Sequence, residues 1–320
     1  MAGLKAIKQK IRSTDKTRKV TKAMEAVSAS KMRKAQQRAI AGRAYARAAV
    51  SILSRVSGSK ALANHPLTRG AEDLSSTAAG RRGDASESKS SALYIVITSD
   101  KGLAGALNSA VLRNTYADIM ASGVSKKNIS IIAIGRKAND FFTTRGYTIE
   151  RYHPNTDEVT DALLSELVAE AAERFASGQT DIVRIGYQNF ISTFEQRPTL
   201  RTMFPLSLGE LSKVVEDITP VKGVFAKTEP EEAPAVYTVE PSEEGVLSAI
   251  LPRLAGIFLY HALLEALACE HSARMVSMKS ASDKAGEMKH SLTLQFNKAR
   301  QAAITREVSE ITGGMEAMAA

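Results

Sequence analysis

The chain has 320 residues, of which 44% are hydrophobic and 24% are charged, and its formal net charge is +9 at pH 7. This length allows one large domain or two modest ones with real cores. A single cysteine, Cys269, excludes an internal disulfide and a cysteine-based metal cluster. Aromatic residues make up only 5% of the chain and Trp is absent, a composition that favours long helices.

The positive charge is concentrated near the N-terminus. Residues 1–57 contain 15 Lys and Arg against only Asp15 and Glu25, which gives +13 there and −4 for the remaining residues. A basic segment points to an acidic protein surface, nucleic acid or anionic lipid as its partner. On charge alone nucleic acid is favoured, so a basic coiled-coil nucleic-acid-binding protein is one hypothesis. Against it, no aromatic residue precedes Tyr45 in this segment and no recognised binding module is present.

Neither a targeting segment nor a membrane span is expected. The first residues, MAGLKAIKQKIR, are basic and amphipathic and lack the apolar stretch of a secretory signal. The longest apolar candidate, 255–268, is interrupted by His261 and Glu265, and no run approaches the roughly 18–20 uncharged residues of a membrane helix. We therefore expect a soluble, cytosolic chain.

Residues 1–57 predict one long N-terminal helix. From residue 4 to residue 57 the segment has no Pro, and its only Gly is Gly42. A helix of about 50 residues would be roughly 75–80 Å long, which no ordinary globular domain requires. The apolar stripe that we predict along it, from helical spacing, consists of Leu4, Ile7, Ile11, Val20, Met24 and Val27.

The middle of the chain has the pattern of an α/β domain. Residues 58–91 are rich in Ser, Gly and Ala and predict a flexible loop. Residues 92–220 alternate between short apolar runs and helical patterns, which predicts a mostly parallel sheet. We expect strands at 92–99, 129–135, 147–152 and 181–190, an edge strand at 198–206, and helices at 105–122, 136–145 and 157–177. Residues 221–242 are rich in Pro and Glu and predict a linker, with room for a short strand at 235–239.

Residues 243–320 predict a second long helix, with about 60–70 helical residues and a length of about 90–105 Å. Pro252 is expected to kink this helix or to mark its first turns, and Gly313-Gly314 to end it. Its recurring apolar positions are Val246, Ile250, Leu254, Ile257, Leu264, Leu267, Met275, Met278, Met288 and Leu292. Neither terminal helix can bury its stripe against the central domain along its full length. We therefore predict that the two helices pack together as an antiparallel coiled coil.

The turn at 98–108, TSDKGLAGALN, is the one segment with features of a nucleotide site, because it joins a buried strand to a helix. Its glycines, Gly102 and Gly105, are spaced G-x-x-G, which is neither the dinucleotide fingerprint nor the P-loop. We interpret it as a tight β–α turn and keep a nucleotide-dependent enzyme as a third hypothesis. The five His residues are scattered and no nucleophile signature occurs, so no catalytic residue, metal site or cofactor is predicted.

The terminal segments closely resemble one protein family. Residues 19–36, KVTKAMEAVSASKMRKAQ, resemble the N-terminal helix of F-type ATP synthase γ subunits. Residues 273–285, ARMVSMKSASDKA, and 297–307, NKARQAAITRE, resemble the C-terminal helix of that family. The 98–108 turn is similar to a family hallmark, with Ala104 where Cys is usual. The resemblance implies an antiparallel coiled coil of the terminal helices with a central Rossmann-like α/β domain.

The function implied by this resemblance is mechanical. A γ subunit of bacterial type forms the central stalk of F1, which rotates within a ring of α and β subunits and couples proton translocation to ATP synthesis or hydrolysis on β. It carries no catalytic site or cofactor of its own. The implied further partners are the ε subunit and the membrane rotor c-ring, at the cytoplasmic face of the bacterial inner membrane. No thiol switch is expected, because Cys269 stands alone.

The resemblance also assigns roles to individual residues. Arg300 and Gln301 would contact the acidic catch loop of β, and Met24, with Lys22 nearby, would lie where the N-terminal helix passes the same region. The α/β domain, including residues 101–108, would form the foot of the stalk. The apical tip, turning in an apolar bearing, would consist of Ile304, Val308, Ile311 and residues 315–320.

Overall fold

The computed structural model describes residues 2–41, 62, 65–68, 90–156, 159–207 and 242–319. The chain divides into two units: residues 1–30 with 274–320, here called the coiled-coil unit, and residues 31–273, the α/β unit. Residues 42–57, most of the predicted loop at 58–91, and the predicted linker with its short strand at 235–239 lie outside the described residues.

The order of elements follows the sequence prediction closely. A 3-10 turn, Lys126–Asn128, precedes the second strand. In chain order the helices and strands are α1 (Ala2–Ala41), β1 (Ala92–Ile97), α2 (Leu107–Ala121), β2 (Ile129–Ile134), α3 (Arg136–Thr144), β3 (Thr148–His153), α4 (Asp161–Ala176), β4 (Ile182–Phe190), β5 (Gln196–Phe204) and α5 (Glu243–Ala319).

The α/β unit contains a five-stranded sheet in the order β3-β2-β1-β4-β5. The first four strands are parallel, with Leu93 of β1 level with Ser130 of β2 and Val183 of β4. Strand β5 runs antiparallel to β4 at the edge. The prediction of a mostly parallel sheet with an added edge strand is therefore confirmed.

Both faces of this sheet are covered, which explains why its strands are continuous apolar runs. Every residue of β1 is buried. Leu93, Ile95 and Ile97 pack in one core with α4 and the first part of α5, while Tyr94 and Val96 pack in a second core with α2 and α3. A parallel strand buried on two faces cannot alternate with polar residues. Each such aliphatic side chain contributes about 1.5–3 kcal/mol through burial.

Helix α5 is enclosed on every side within the α/β unit, since all residues from His261 to Ser272 are buried. Among the described residues it is the one helix that is long and apolar enough to cross a membrane by length and composition. Half of the apolar stretch that meets this criterion is buried inside the fold, and Leu254 and Phe258 belong to the core. A core helix of a soluble protein passes the same test, so this finding is weak evidence for a membrane span.

One prediction about α5 needs correction. Pro252 lies inside the helix, in its third turn, which agrees with its predicted place in the first turns. The predicted stop at Gly313-Gly314 is wrong, because the helix runs on to Ala319. A glycine costs a helix only about 1 kcal/mol relative to alanine. The residues that follow, MEAMA, are strong helix formers, and they continue the helix across both glycines.

In the coiled-coil unit, α1 and the last part of α5 pack antiparallel, as predicted. The Lys289 ammonium lies 2.8 Å from the Asp15 carboxylate, and the Ser282 hydroxyl donates to the Arg18 carbonyl oxygen at 3.4 Å. In these contacts the residue number rises along α1 while it falls along α5, so the two helices run antiparallel. Lys289 lowers the pKa of the Asp15 carboxyl to about 2, so this ion pair persists at neutral pH.

The line of shielded residues along which α1 and α5 contact each other is here called the seam. Its residues are spaced alternately three and four apart, which is the heptad pattern of a coiled coil. On α1 the shielded positions are Leu4, Ile7, Ile11, Thr14, Arg18, Thr21, Glu25 and Ser28. On α5 they are Met278, Ser282, Ala285, Lys289, Leu292, Phe296, Ala299 and Ala303. Beyond Ile11 the α1 side of the seam is made of polar side chains.

The apolar stripe predicted for α1 is therefore only partly correct. Val20 and Val27 are 58% and 56% exposed and lie outside the seam. The seam passes instead through Thr21 and Ser28, each one residue further on, because small side chains allow the helices to approach closely. Met288 of α5, predicted to be shielded, is also more than half exposed.

Gly135, between β2 and α3, has a φ of +93°. A Cβ atom there would lie 2.0 Å from the Thr98 carbonyl oxygen, which belongs to the backbone and cannot move aside. We expect Gly135→Ala to lower the free energy of unfolding of the full chain by about 3 kcal/mol or more, as measured by denaturant unfolding.

Gly102→Ala is the matched control. Gly102 lies in the neighbouring turn and has no positive φ, and a Cβ atom added to it would have no other atom within 4 Å. The free energy of unfolding should therefore change by less than about 1 kcal/mol. Equal effects of the two substitutions would contradict the steric argument.

Candidate partner-binding surfaces

Arg300 and Gln301 are both exposed and lie side by side on α5, next to the seam position Ala299. The Gln301 backbone carbonyl oxygen accepts a hydrogen bond from the Thr305 hydroxyl at 3.0 Å. A planar guanidinium beside an amide suits recognition of a carboxylate by several donors. The geometry is therefore suitable for an acidic partner loop.

Lys22 and Met24 form a second position on the same unit. The Lys22 ammonium lies 3.1 Å from a Glu25 carboxylate oxygen, so its charge is partly compensated within α1. Met24 is only partly buried. This position presents an apolar thioether beside an ion pair, and it differs chemically from the Arg300–Gln301 position.

The structure does not bring these two positions together. Because Asp15 is level with Lys289, the antiparallel register sets Met24 near the level of Met278 on α5. Arg300 is 22 residues further along α5 than Met278, which corresponds to about 33 Å at 1.5 Å per residue. The two predicted contact positions therefore lie at different heights along the coiled coil, and they cannot form one binding site.

Helix α5 continues beyond the end of the seam. The last shielded position is Ala303, and the next apolar side chains are all more than half exposed. These side chains, Ile304, Val308, Ile311 and Met315, follow one another at spacings of four, three and four residues, which places them on one face of the helix. Within the described residues nothing covers this face, so it is suited to an apolar partner.

The 98–108 turn is held together by its own side chains. Ser99 N–H donates to the Asn108 side-chain oxygen at 3.0 Å, and the Asn108 amide donates to the Ser99 hydroxyl at 2.8 Å. Asp100 accepts the backbone N–H of Arg136 at 2.7 Å, at the start of α3. Ala104 is buried against Cys269. These contacts support the interpretation of the segment as a structural β–α turn.

A buried polar group that the sequence analysis treated only as an interruption lies between α5 and the sheet. Glu265 is 6% exposed, and its carboxylate lies 3.6 Å from His261 Nδ1 and accepts a hydrogen bond from the Tyr187 hydroxyl. Arg201 Nε donates to the same hydroxyl at 3.0 Å. Burial raises the pKa of Glu265 to about 7, against the opposing effects of Arg201 and Tyr187.

The single cysteine belongs to the same region. The Cys269 thiol lies 3.3 Å from the Gln188 carbonyl oxygen and is fully buried. Burial, with the nearby Glu265, raises its pKa well above the ordinary value. A buried protonated thiol is a poor nucleophile.

Comparison with known sequences gives a consistent result over the whole chain. A family model described as ATP synthase matches residues 3–318. The chain is 36% identical over 321 residues to the ATP synthase gamma chain of Heliobacterium modesticaldum, covering 99% of this chain and all of that one. It is 37% identical over 326 residues to the ATP synthase gamma chain of Roseiflexus castenholzii, covering 100% and 99%.

Comparison with solved structures indicates the same fold. A chain of the Euglena gracilis mitochondrial ATP synthase, in a structure of its OSCP, F1 and c-ring parts, matches with a TM-score of 0.61 at 19% identity, covering 99% of this chain and 95% of that one. A chain of the central stalk and c-ring structure from Tetrahymena thermophila mitochondrial ATP synthase matches with a TM-score of 0.52 at 21% identity, covering 82% and 99%.

The raised pKa of Glu265 leads to a prediction about how the stability of the fold depends on pH. The folded chain holds a proton on this carboxyl up to about pH 7, whereas the unfolded chain releases it near pH 4.3. The contribution of Glu265 to stability is therefore complete below about pH 4.3 and is lost as the pH rises to 7. We expect Glu265→Gln to be about 2–3 kcal/mol more stable, relative to the native chain, at pH 8 than at pH 5.

Denaturant unfolding at both pH values measures this difference. Glu173→Gln, on the exposed side of α4, is the control and should give the same difference from the native chain at both pH values. A pH-independent effect of Glu265→Gln would contradict the assignment.

Proposed function

Because the chain belongs to the ATP synthase gamma chain family, we propose that it is the central stalk of an F1 ATP synthase, which rotates within the α and β ring. In this role it couples proton translocation to ATP synthesis or hydrolysis on the β subunits and has no catalytic site of its own. Its further partners are the ε subunit and the membrane rotor c-ring. The assembly is a peripheral complex at the cytoplasmic face of the bacterial inner membrane.

The observation that carries this proposal is the antiparallel coiled coil built from the two ends of the chain. It includes the last part of a helix of 77 residues, and its tip extends past the end of the seam. A rod whose sides differ in charge and apolarity presents different contacts to a surrounding ring in each orientation. A protein whose contacts differ between two states of a partner shifts the affinity of that partner for its ligands.

Arg300 and Gln301 supply one of these contacts in the proposed mechanism. Their exposure and their adjacency on α5 support a hydrogen-bonded ion pair with an acidic loop of β. Met24 and Lys22 supply a second contact, about 33 Å lower on the rod by the helical rise. The exposed face of Ile304, Val308 and Ile311 supports an apical bearing, because an apolar surface slides past an apolar sleeve without breaking specific hydrogen bonds.

The α/β unit is the proposed foot, which contacts ε and the c-ring. Its sheet is covered by helices on both faces, so it provides a rigid body through which torque can pass. The bonds within the 98–108 turn support a scaffold role for that turn in the proposed foot. The nucleic-acid alternative receives no support from the relatives named above, both of which are ATP synthase gamma chains.

A pull-down of the tagged full chain from its native host tests this function. We expect the α and β subunits to co-purify in stoichiometric amounts with ATPase activity in the eluate. A chain that binds neither subunit but turns over a substrate alone would contradict the proposal.

Arg300→Ala is expected to reduce coupled ATP synthesis about fivefold while the subunit still assembles, since a partly exposed ion pair contributes about 1 kcal/mol. ATP synthesis by reconstituted vesicles measures the effect. Lys298→Ala is the control, because Lys298 is an exposed basic residue on the opposite side of α5, and it should leave synthesis unchanged. Native turnover in Arg300→Ala would show that this contact does not operate here.

Deletion of residues 315–320 is expected to be tolerated better than Arg300→Ala. An apolar bearing makes few specific contacts, and Ile304, Val308 and Ile311 remain in place. Coupled ATP synthesis by the truncated chain should stay within about twofold of the native value, on the scale of a loss below about 0.5 kcal/mol. A larger loss than that of Arg300→Ala would contradict this ranking.

A further inference from the structure

A contact between opposite charges joins α1 to α5 across the seam. The Lys289 ammonium lies 2.8 Å from one carboxylate oxygen of Asp15, and these two side chains are 39% and 23% exposed. Because both are partly shielded from water, salt screens their attraction less than that of a fully exposed pair. The other carboxylate oxygen lies 3.3 Å from Lys19 of the same helix. Asp15 is therefore paired with a base on each helix.

The seam positions around this ion pair are small or polar. They are Thr14 and Thr21 on α1, and Ser282 and Ala285 on α5. Such side chains offer no large knob that locks one helix against the other. A seam that repeats every seven residues can also pair after one helix is displaced by one heptad, about 10 Å. In this part of the seam, packing therefore distinguishes the native register from the displaced ones only weakly.

Displacement by one heptad would remove the partner of Asp15 on α5. For displacement in one direction, Asp15 would lie opposite Ser282 instead of Lys289. For displacement in the other direction, it would lie opposite Phe296. Neither side chain carries a positive charge, so the partly shielded carboxylate would lose its attraction across the seam.

The same displacement would bring Lys289 opposite another lysine. In the first displaced register Lys289 would face Lys8, and in the second it would face Lys22. Like charges at this distance repel each other. Each displaced register therefore exchanges an attraction for a repulsion, which is how charged pairs beside a seam specify the register of a coiled coil.

The register also sets the distance between the two proposed partner contacts, because these contacts lie on different helices. Met24 belongs to α1 and Arg300 belongs to α5. Displacement by one heptad would change their separation along the rod by about 10 Å. A ring that contacts both positions at once would then lose one of the two contacts.

We propose that Asp15 and Lys289 are positioning residues, whose ion pair selects one register of the coiled coil and so keeps the contacts at Met24 and Arg300 at the separation that coupling requires. This inference rests on the proposed function. The two residues act through the side chains that they position. Because the pKa of the Asp15 carboxyl is about 2, the pair is charged at every pH at which the complex would work.

The distance between two spin labels on the full chain measures the register. Since Asp15 is level with Lys289, Gln9 is level with Gln295, and Ser309 is 14 residues further along α5. Labels on cysteines at positions 9 and 309, both exposed, would therefore be offset by about 20 Å along the rod. Displacement by one heptad would change this offset by about 10 Å, which pulsed electron paramagnetic resonance resolves.

Substitutions at the ion pair should populate the displaced registers. We expect Asp15→Asn to raise the displaced share at least about threefold over the native chain, whereas Asp15→Glu, which keeps the carboxylate, should stay close to native. Lys19→Met is the matched control for Lys289→Met. Both remove a lysine from the same carboxylate, but only Lys289 lies across the seam. Lys19→Met should therefore leave the distance native.

Proton pumping per ATP hydrolysed is the second measurement, made on the complex assembled with subunits of its own organism in vesicles. Lys289→Met should lower this ratio about twofold, while the rate of ATP hydrolysis stays within about twofold of native. Lys19→Met should pump as the native chain does. A loss of pumping that is equal in Lys19→Met and Lys289→Met would contradict the role of the contact across the seam.

A double substitution separates register from stability. Asp15→Leu combined with Lys289→Leu replaces the ion pair by apolar side chains, so the free energy of unfolding should not fall below that of the native chain. Leucines also pack in the displaced registers, so the displaced share should remain high and pumping should remain low. Recovery of both in this variant would show that the ion pair contributes stability alone, and would overturn the proposal.

The proposal and the proposed function fail in different ways. A single native distance in Asp15→Asn, or native pumping in Lys289→Met, would overturn the positioning role and leave the proposed function intact. Failure of the native chain to assemble with the α and β subunits would overturn both.

Discussion

Helix α5 must be compatible with two different surroundings along its length, and the arrangement of the other helices and strands depends on this constraint. Between His261 and Ser272 it is enclosed on all sides by the α/β unit, so it must be apolar all round or supply partners for every polar group. Beyond Arg274 only one seam is shielded, and the remaining faces are open to water or to a partner. One continuous helix therefore serves as a core element in one unit and as half of a coiled coil in the other.

The polar side chains in the enclosed part of α5 are accommodated by the sheet. Tyr187 of β4 and Arg201 of β5 are brought together by the antiparallel pairing of these strands, and they meet Glu265. In the coiled-coil unit the same need is met differently. Small side chains such as Thr21 and Ser282 fill the seam, and the ion pair between Asp15 and Lys289 fixes the register.

The positions of the helices and strands could be predicted from the sequence more accurately than the identity of the residues that each of them buries. Strands such as 92–97 could be identified because burial on both sides demands unbroken apolar runs. Val20 and Val27 were assigned to the seam because apolar residues are expected inside, whereas close packing of small residues favoured Thr21 and Ser28. The continuation of α5 past Gly313-Gly314 was missed because glycine only weakens a helix. The network around Glu265 joins residues far apart in the chain, so no local pattern could reveal it.

The separation between Met24 and Arg300 has a consequence for the alignment of the coiled coil within its proposed ring of partners. A rod that is held at only one point along its length can tilt about that point. Its free end is then displaced sideways as the rod rotates. A shaft gripped at two heights, about 33 Å apart by the helical rise, cannot lean without straining one of the two grips. In the proposed assembly the contacts would act as a pair of collars that keep the axis of the rod upright while it spins.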